Sequence, residues 1–416
     1  MNQEHYSHHV QELSLSVVQT RVDSIRKKDI LRTGVRVYAD GKIGVAGAIG
    51  SYDEGELTQK AVAALELGIP YPYELAAGRR ETVEPAHYLP EGTAFVDEMQ
   101  QMLAELEQAQ PRFSFSNKIN LRTQTVRLAS DLGLDLSYRS TSIEVGLIIK
   151  DKASSNIIDA FVAYDGWRYD RAEFLRLSNM VCDAYHHQVE IEDGTYPVLF
   201  LSADPVYRIK LAESLHGQLY GTGASLFAGK MGQPLFGTGF TAHESRSFRD
   251  GIIAPFFDAE GTVSEDHRRP LIQDGVLVAL RTDKKNAAKF DLPLTGSAGG
   301  DYDSVPGLGN PYAGLANVVI DSTGQTMKEL LDGRKGILVW IASGGDFTPA
   351  GNFATPVQLA YLFDGERLLG RLPELTVSSH LYDMFGKDLL GVSTDSLTSL
   401  AKMDVIAMNM QVTRSG

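Results

Sequence analysis

Cysteine is almost absent from this sequence, because Cys182 is the only one among 416 residues. A single cysteine cannot form an intrachain disulfide or supply a cysteine-rich zinc site. The negative charge of the neighbouring Asp183 is expected to raise the pKa of the Cys182 thiol, so the thiol is not an activated nucleophile. Residues 1–9 lack a basic segment that leads into an apolar stretch, so we expect no secretory signal and a cytoplasmic protein.

Long apolar runs and an excess of basic residues are also missing. Apolar stretches such as residues 336–342 are much shorter than the roughly 20 residues that a membrane-spanning helix needs. The chain has 39 Lys and Arg against 53 Asp and Glu, a formal net charge of −14. Since nucleic-acid affinity comes from clustered basic residues, direct DNA binding is not expected. The dense basic positions are also explained by a solvated turn; they are Arg246, Arg249, Arg268 and Arg269.

Glycine is abundant, and the 40 glycines concentrate in the second half, where they predict turns between short strands. A length of 416 residues favours two domains. Polarity rises near residue 190, and we place the boundary there. The sequence therefore predicts an α+β fold, with an N-terminal mixed α+β domain at residues 1–190 and a larger strand-rich C-terminal domain at residues 191–416.

Local patterns predict the individual elements. The Asp40-Gly41 pair between two alternating runs is a strong hairpin signal. In the first half we predict helices at residues 11–28, 57–67 and 92–108, and strands at residues 142–149 and 157–164. In the second half we predict a strand at residues 197–201, a helix that residues 202–205 start and Gly221 ends, and helices near residues 327–331 and 380–385.

Two pairs of histidine and glutamate could carry chemistry. Glu213 and His216 are three residues apart and would share one face of a helix. A catalytic zinc site needs three protein ligands and a water, so a polar helix face is the preferred interpretation of this pair. His243 and Glu244 begin like His-Glu-x-x-His, but Ser247 stands where the second histidine is required. Glycines on both sides place that dipeptide in a strand or a turn.

The remaining histidines and glycines give weaker signals. Adjacent His186 and His187 cannot converge on one metal. The N-terminal histidines, which are His5, His8 and His9, are expected in a mobile end. Three phenylalanines are interpreted as core residues, namely Phe227, Phe236 and Phe240. The residues alone show no complete catalytic constellation.

Several segments together resemble a known family, the TldD/PmbA family, whose members are also called modulators of DNA gyrase. The segments are residues 34–45, 212–232, 258–261, 272–277, 344–348 and 392–395. The resemblance implies an α+β N-terminal domain and a strand-rich C-terminal domain. In the TldD-type branch, a helix carries His-Glu-x-x-x-His and a downstream cysteine completes a zinc site that cuts peptides.

This chain departs from the zinc motif of that branch. Alignment on His216 places Leu211 at the first histidine and Ala212 at the glutamate, and Cys182 lies upstream of the helix. The departure resembles the PmbA branch (TldE-like), which lacks the zinc motif. The resemblance implies that the chain has no cofactor of its own and that zinc is present only through a partner subunit. The expected partner is a TldD-like catalytic subunit or a second copy of this chain in a dimer. Such a complex would process or degrade extended peptides in the cytoplasm.

Two alternatives stay open beside this one. The chain could be an active metallopeptidase with a non-standard metal site built from Glu213, His216, His243 and Glu244. It could instead be a homodimeric peptide-binding scaffold. The glycines near the helix end are expected to supply positive φ angles or close backbone approach and could border a peptide channel; they are Gly221, Gly223, Gly229 and Gly232.

Overall fold

A seven-stranded sheet with very long strands organises the first part of the chain. The computed structural model describes residues 1–202 and 204–415. The strand order is β3-β2-β1-β5-β6-β4, and β7 pairs with β6. The strands are β1 (Asn2–Val18), β2 (Arg21–Ala39), β3 (Lys42–Ile49), β4 (Arg80–Val83), β5 (Phe113–Ser130), β6 (Asp135–Asp151) and β7 (Ala160–Gly166).

Three helices belong to this sheet, and they are α1 (Glu54–Ala63), α2 (Gly92–Ala109) and α3 (Arg171–His186). Helix α1 begins where the Asp53 carboxylate accepts a hydrogen bond from the Glu56 amide at 2.8 Å. Helices α2 and α3 contribute apolar side chains to the same core as β1, β5, β6 and β7, for example Phe95 and Phe174. These contacts fix the sheet against both helices.

The second part of the chain contains an eight-stranded sheet and a four-stranded sheet. In the larger one, β13, β8, β19, β17 and β15 pair in turn, and β15 also pairs with β13, so five strands close into a ring. Its strands are β8 (Gly194–Leu201), β13 (Gly336–Ala342), β14 (Asp346–Phe347), β15 (Asn352–Phe363), β16 (Leu368–Arg371), β17 (Leu375–His380), β18 (Leu389–Val392) and β19 (Val405–Arg414).

The four-stranded sheet has the order β11-β10-β9-β12. Its strands are β9 (Ala242–Ser245), β10 (Arg268–Gln273), β11 (Val276–Leu277) and β12 (Val318–Ile320). The helices of this part are α4 (Ile209–Ser214), α5 (Gly217–Gly221), α6 (Lys284–Phe290), α7 (Met327–Leu331) and α8 (Leu381–Met384).

The predicted α+β fold class is confirmed, and so are several local elements. Asp40 (φ 50°) and Gly41 (φ 69°) form the two-residue turn between β2 and β3. The helices predicted at residues 57–67 and 92–108 correspond to α1 with the 3₁₀ turn that follows it, and to α2. Helices α7 and α8 match the two late predictions. The domain boundary near residue 190 stays a prediction.

The helix predicted at residues 11–28 is wrong. This segment is the tip of the β1–β2 hairpin, with Gln19 and Thr20 in the turn at φ 48° and 65°. The run Leu13, Leu15, Val17 also fits a period of two, and Leu15 and Val17 are fully buried. The turn lacks glycine, so its sequence did not reveal it.

Other expectations for the first part also needed correction. The N-terminal histidines lie in β1 and not in a mobile end, and His9 Nε2 is 2.6 Å from the Asp29 carboxylate. The strand predicted at residues 157–164 begins only at Ala160. Strand β5 and helix α3 were not predicted. Across the described residues, the helices are too short or too polar to cross a bilayer.

Candidate functional site

The segment that resembles the zinc helix of the family is broken in two. Helix α4 ends at Ser214, His216 has an extended backbone (φ −76°, ψ 117°), and α5 begins at Gly217. The Arg281 amide donates to Leu215 O at 2.8 Å, and the Gly217 amide donates to Arg281 O at 2.9 Å. These bonds use groups that a continuous helix would need for itself, so the prediction of a single continuous helix is wrong. Its predicted end at Gly221 is the end of α5.

The predicted start of that helix is also wrong. We expected residues 202–205 to start it, but α4 begins at Ile209. Ala203 lies outside the described residues. The Asp204 carboxylate instead accepts from the Val206 amide at 2.9 Å in the turn before α4.

The two positions that align with the first histidine and the glutamate of the zinc motif face the apolar core. Leu211 and Ala212 have no exposed surface and pack in the hydrophobic core of the second part of the chain, together with Phe200 and Tyr207. A metal ligand needs a polar atom that reaches an open coordination site. These positions provide neither a donor atom nor access.

Glu213 points to a different neighbour. Its Oε1 atom lies 2.5 Å from Lys210 Nζ, and both side chains are largely buried. The Lys210 ammonium thus pairs with the carboxylate that the alternative of a non-standard metal site would use as a ligand.

The His216 imidazole is buried and makes one long contact. Its Nε2 atom lies 3.4 Å from Gly309 O, whereas Nδ1 has no hydrogen-bond partner among the described residues. Burial, and then the positive charge of Arg281, lowers the pKa of His216, although the Gly309 carbonyl acts in the opposite direction. The ring is therefore neutral at pH 7 and donates through Nε2.

Glu244 is held by a buried arginine and a serine. Its Oε2 atom accepts a hydrogen bond from Ser297 Oγ and lies 3.6 Å from Arg281 Nε. Arg281 is 2% exposed and also donates to the carbonyls of Pro311 and Ala313. Burying a charged carboxylate without a cation is energetically unfavourable. The Arg281 guanidinium supplies the positive charge that balances the Glu244 carboxylate.

His243 points to the opposite face of the same strand, since side chains alternate along β9. Its Nδ1 atom lies 3.2 Å from the Asp321 carboxylate, which also accepts from Arg268 Nη2 at 2.7 Å. The prediction that the His243-Glu244 dipeptide lies in a strand or a turn is confirmed.

The four candidate residues therefore do not converge. Within residues 1–202 and 204–415, no group of three or more His, Cys, Asp or Glu side chains is arranged to hold a metal ion. Cys182 is buried in α3. Burial, and then the charge of Asp183, raises the pKa of its thiol, as predicted from the sequence.

A pocket of about 340 Å³ lies beside the broken helix. Gly309, the carbonyl neighbour of His216, lines it together with Gln218 of α5 and Lys285 of α6. Tyr71 and Tyr73, which follow α1, form the wall on the N-terminal side. The pocket thus combines two aromatic rings with the Gln218 amide, the Lys285 ammonium and the Asp283 carboxylate.

The Tyr71 wall is anchored by a buried carboxylate that the sequence did not reveal. Glu260 accepts from the Tyr71 hydroxyl through Oε1 and from the Lys284 amide through Oε2, both at 2.9 Å. Burial, and then the charge of Asp258, raises the pKa of Glu260 to about 7. This carboxylate therefore connects the N-terminal part of the chain to α6 at the edge of the pocket.

A second buried contact joins the same two regions. Arg36 of β2 donates to Ala259 O at 2.5 Å and lies 3.7 Å from Glu4 Oε2. Burial raises the pKa of Glu4, although the Arg36 charge acts in the opposite direction. No sequence motif indicated that Arg36 joins these segments, because Glu4 and Ala259 are far apart in sequence.

The other predicted residues have structural roles. Gly223, Gly229 and Gly232 have positive φ angles of 80°, 72° and 75°. At Gly221, a Cβ atom would lie 2.2 Å from the ring of Phe290, so only glycine fits. Both results confirm the predicted backbone roles of these glycines, whereas their place in a peptide channel stays a prediction.

The aromatic and basic candidates are also placed. The core assignment is confirmed, since the three phenylalanines are buried; they are Phe227, Phe236 and Phe240. Arg246 donates to Phe257 O and Gly296 O, and Arg268 pairs with two carboxylates. These two guanidiniums are therefore committed to neighbouring groups of the chain.

Comparison with known proteins identifies the family. Residues 193–413 match the family model described as the PmbA/TldA metallopeptidase C-terminal domain. An uncharacterized protein of Methanocaldococcus jannaschii is 22% identical over 379 residues, which cover 86% of this chain and 84% of that protein. The metalloprotease PmbA homolog of Buchnera aphidicola is 24% identical over 188 residues, 45% of this chain and 38% of that protein.

The fold agrees with this assignment. The crystal structure of TldE from Thermococcus kodakarensis superimposes with a TM-score of 0.77 at 16% identity, over 99% of this chain and 96% of that one. Because the matched family model spans more than half of the sequence, the chain belongs to the PmbA/TldA metallopeptidase family, the same TldD/PmbA family that its segments resemble.

Proposed function

We propose that this chain is the zinc-free, TldE-like subunit of a cytoplasmic peptidase in which a TldD-like partner supplies the zinc and the catalytic groups. The subunit would contribute a wall of the peptide channel. The substrate would be an extended peptide that the complex processes or degrades.

The burial of Leu211 and Ala212 carries this proposal. A zinc peptidase needs a ligand and a general base at these positions, but both side chains pack in an apolar core. The residues present do not fit a zinc ion of the kind that the family motif holds. No step of a zinc-dependent reaction can therefore be assigned to this chain alone.

The environment of Glu244 points in the same direction. In a metalloenzyme a carboxylate can bind the metal, but here Arg281 already supplies the compensating positive charge at 3.6 Å. His216 and Glu244 each keep one buried polar atom without a partner among the described residues, namely Nδ1 and Oε1. The alternative of a non-standard metal site would have to use these two atoms, and the experiment below distinguishes it from the proposal.

The test combines metal content and activity. We expect the purified chain to contain no stoichiometric zinc by mass spectrometry of the metal. We expect peptidase activity only after a TldD-like chain with an intact His-Glu-x-x-x-His motif is added. The matched control is the same partner with the glutamate of that motif replaced by glutamine, which should abolish the activity.

The alternatives give different outcomes. Zinc-dependent cleavage by the lone chain that is lost in His216→Ala would refute the proposal and establish the non-standard site. Unchanged metal content and unchanged activity of the reconstituted complex in His216→Ala would remove that site. A homodimer that binds peptide but gains no activity with a TldD-like partner would support the scaffold alternative.

A further inference from the structure

Two adjoining cavities lie where α3, the loop after β6 and strand β16 meet, away from the broken helix. Their volumes are about 530 Å³ and about 550 Å³. Four residues line both cavities, and they are Asn156, Tyr185, Gln188 and Arg371. None of the lining residues belongs to the pocket beside His216, so this region is a separate feature of the fold.

Arg371 stands at the boundary of the two cavities in a fixed position. Its amide donates to His187 O at 2.6 Å, and its carbonyl accepts from the Val189 amide at 2.9 Å. Its guanidinium lies over the ring of Tyr185, 4.3 Å from the centroid. Within residues 1–202 and 204–415, no carboxylate forms an ion pair with this guanidinium. Stacking occupies a face of the group and leaves its N–H edge available for a planar anion.

Two acidic residues close to Arg371 are already compensated, whereas Glu190 and Glu374 line the adjoining cavity. Asp151 accepts two hydrogen bonds from Arg112, at 3.1 and 2.9 Å. Asp159 is buried and accepts from the Tyr185 hydroxyl at 2.8 Å and from Lys150 Nζ at 3.3 Å. The ring of Tyr185 that supports Arg371 is thereby held by its own hydroxyl. Arg371 takes part in neither of these pairs.

The smaller cavity is therefore a polar site with a positive balance. Its charged lining residues are Arg112, Arg371 and Asp151. Burial, and then the charge of Arg112, lowers the pKa of the His186 ring that completes the wall, so this ring is neutral at pH 7. The amides of Asn156 and Gln188 add neutral donors beside the guanidinium.

We propose that the smaller cavity binds a carboxylate group. The N–H edge of Arg371 would donate hydrogen bonds to this carboxylate, and the Gln188 amide lies beside it. A planar guanidinium that is supported by an aromatic ring suits bidentate recognition of a carboxylate. The adjoining cavity is lined by Ile158 and Leu372, and also by the carboxylates of Glu190 and Glu374. These acids disfavour an anion there, so the carboxylate belongs in the smaller cavity and an apolar remainder of the ligand in the larger one.

The source of the carboxylate is either a small carboxylic acid or the C-terminus of a peptide. The inference is independent of the proposed peptidase role, because it uses none of the residues near His216. Isothermal titration at constant ionic strength would compare four probes at millimolar concentration. They are succinate, an N-acetylated leucine dipeptide with a free C-terminus, the same dipeptide amide, and chloride.

We expect succinate or the free-acid dipeptide to bind, and the amide and chloride not to bind. Binding of succinate alone identifies a small acid as the ligand, and binding of the free-acid dipeptide alone identifies a peptide C-terminus. In Arg371→Gln the affinity should fall about tenfold or more, since hydrogen bonds to charged groups are lost. The matched control is Arg367→Gln on the same hairpin, whose guanidinium is exposed and pairs with Asp364, and its affinity should be unchanged.

A second variant covers the case in which Arg371→Gln does not fold. Gln188 is exposed, so Gln188→Ala should fold normally and weaken carboxylate binding. Failure of both carboxylate probes to bind the unmodified chain would overturn the proposal. Equal binding to the unmodified chain, Arg371→Gln and Gln188→Ala would overturn it as well.

Discussion

The buried carboxylate of Glu260 makes the stability of this protein depend on pH in a direction that is opposite to the usual one for an acid. Glu260 is 2% exposed, and the groups around it are Asp258, Lys284 and Tyr71. Burial and the like charge of Asp258 raise its pKa from 4.5 to about 7. The perturbation we consider is Glu260→Gln, which removes the charge and keeps the shape.

The sign and the size follow from the two pKa values. Above pH 7 the carboxylate is charged in both states, and the folded state bears the cost of burying it. As the pH falls from 7 towards 4.5, the folded state takes up a proton that the unfolded state does not, so the folded state becomes more stable. A difference of roughly 2.5 pKa units corresponds to about 3 kcal/mol.

The variant should lose this dependence. The glutamine carbonyl can accept from the Lys284 amide, while its NH₂ group donates to the Tyr71 hydroxyl, so both contacts survive. At pH 8 we expect the variant to be more stable than the unmodified chain by up to about 3 kcal/mol, and the difference should shrink towards pH 5. Urea unfolding between pH 5 and 8 measures this, with the exposed Glu265→Gln of the same segment as the control.

The result that would refute this reasoning is a difference between Glu260→Gln and the unmodified chain that stays constant with pH. A variant that is less stable at pH 8 than at pH 5, relative to the unmodified chain, would reverse the sign. Either result would mean that the carboxylate is charged and well compensated in the folded state throughout this range.

Further predictions concern the packing around the broken helix and the lone thiol. Gly221→Ala should destabilise the protein by about 1–3 kcal/mol, because the new Cβ would meet the Phe290 ring at 2.2 Å; urea unfolding measures it, and an unchanged midpoint would contradict the packing. Arg281→Met should cost about 3–5 kcal/mol, since it leaves Glu244 buried without a cation, and adding Glu244→Gln should restore part of the loss in the same assay. Cys182 should resist a thiol reagent in the native state and react after denaturation, because burial and Asp183 raise its pKa; rapid native labelling at pH 8 would argue against this.

The parts of the fold that the sequence predicted correctly depend on local signals. The Asp40-Gly41 turn, α1 and α2 each have their own turn, cap or periodic pattern. The β1–β2 hairpin lacks such a signal, because the turn residues Gln19 and Thr20 take positive φ angles without glycine. Spacing over a short stretch then fitted a helix as well as a strand, and only the pairing with β5 decides between them.

The candidate site shows the same limit at a longer range. The absence of a zinc ligand at Leu211 could be seen in the sequence once the family was considered. The break at His216 could not, because it is produced by hydrogen bonds to Arg281, which is 65 positions later. The pairing of Glu244 with Arg281, and that of Glu260 with Tyr71, likewise bring distant segments together. Single-sequence patterns do not contain these contacts.

The ring of strands also explains why Cys182 cannot replace the missing ligand of the zinc motif. Side chains alternate along β8, so that Leu199 packs in the same core as Cys182, whereas Phe200 packs in the same core as Leu211. The carbonyl beside Cys182, that of Val181, accepts from Tyr361 on the first of these faces. Helices α3 and α4 therefore cover opposite faces of one sheet. A thiol on α3 would have to pass through the sheet to reach Leu211, so its place in the fold excludes Cys182 independently of its order in the sequence.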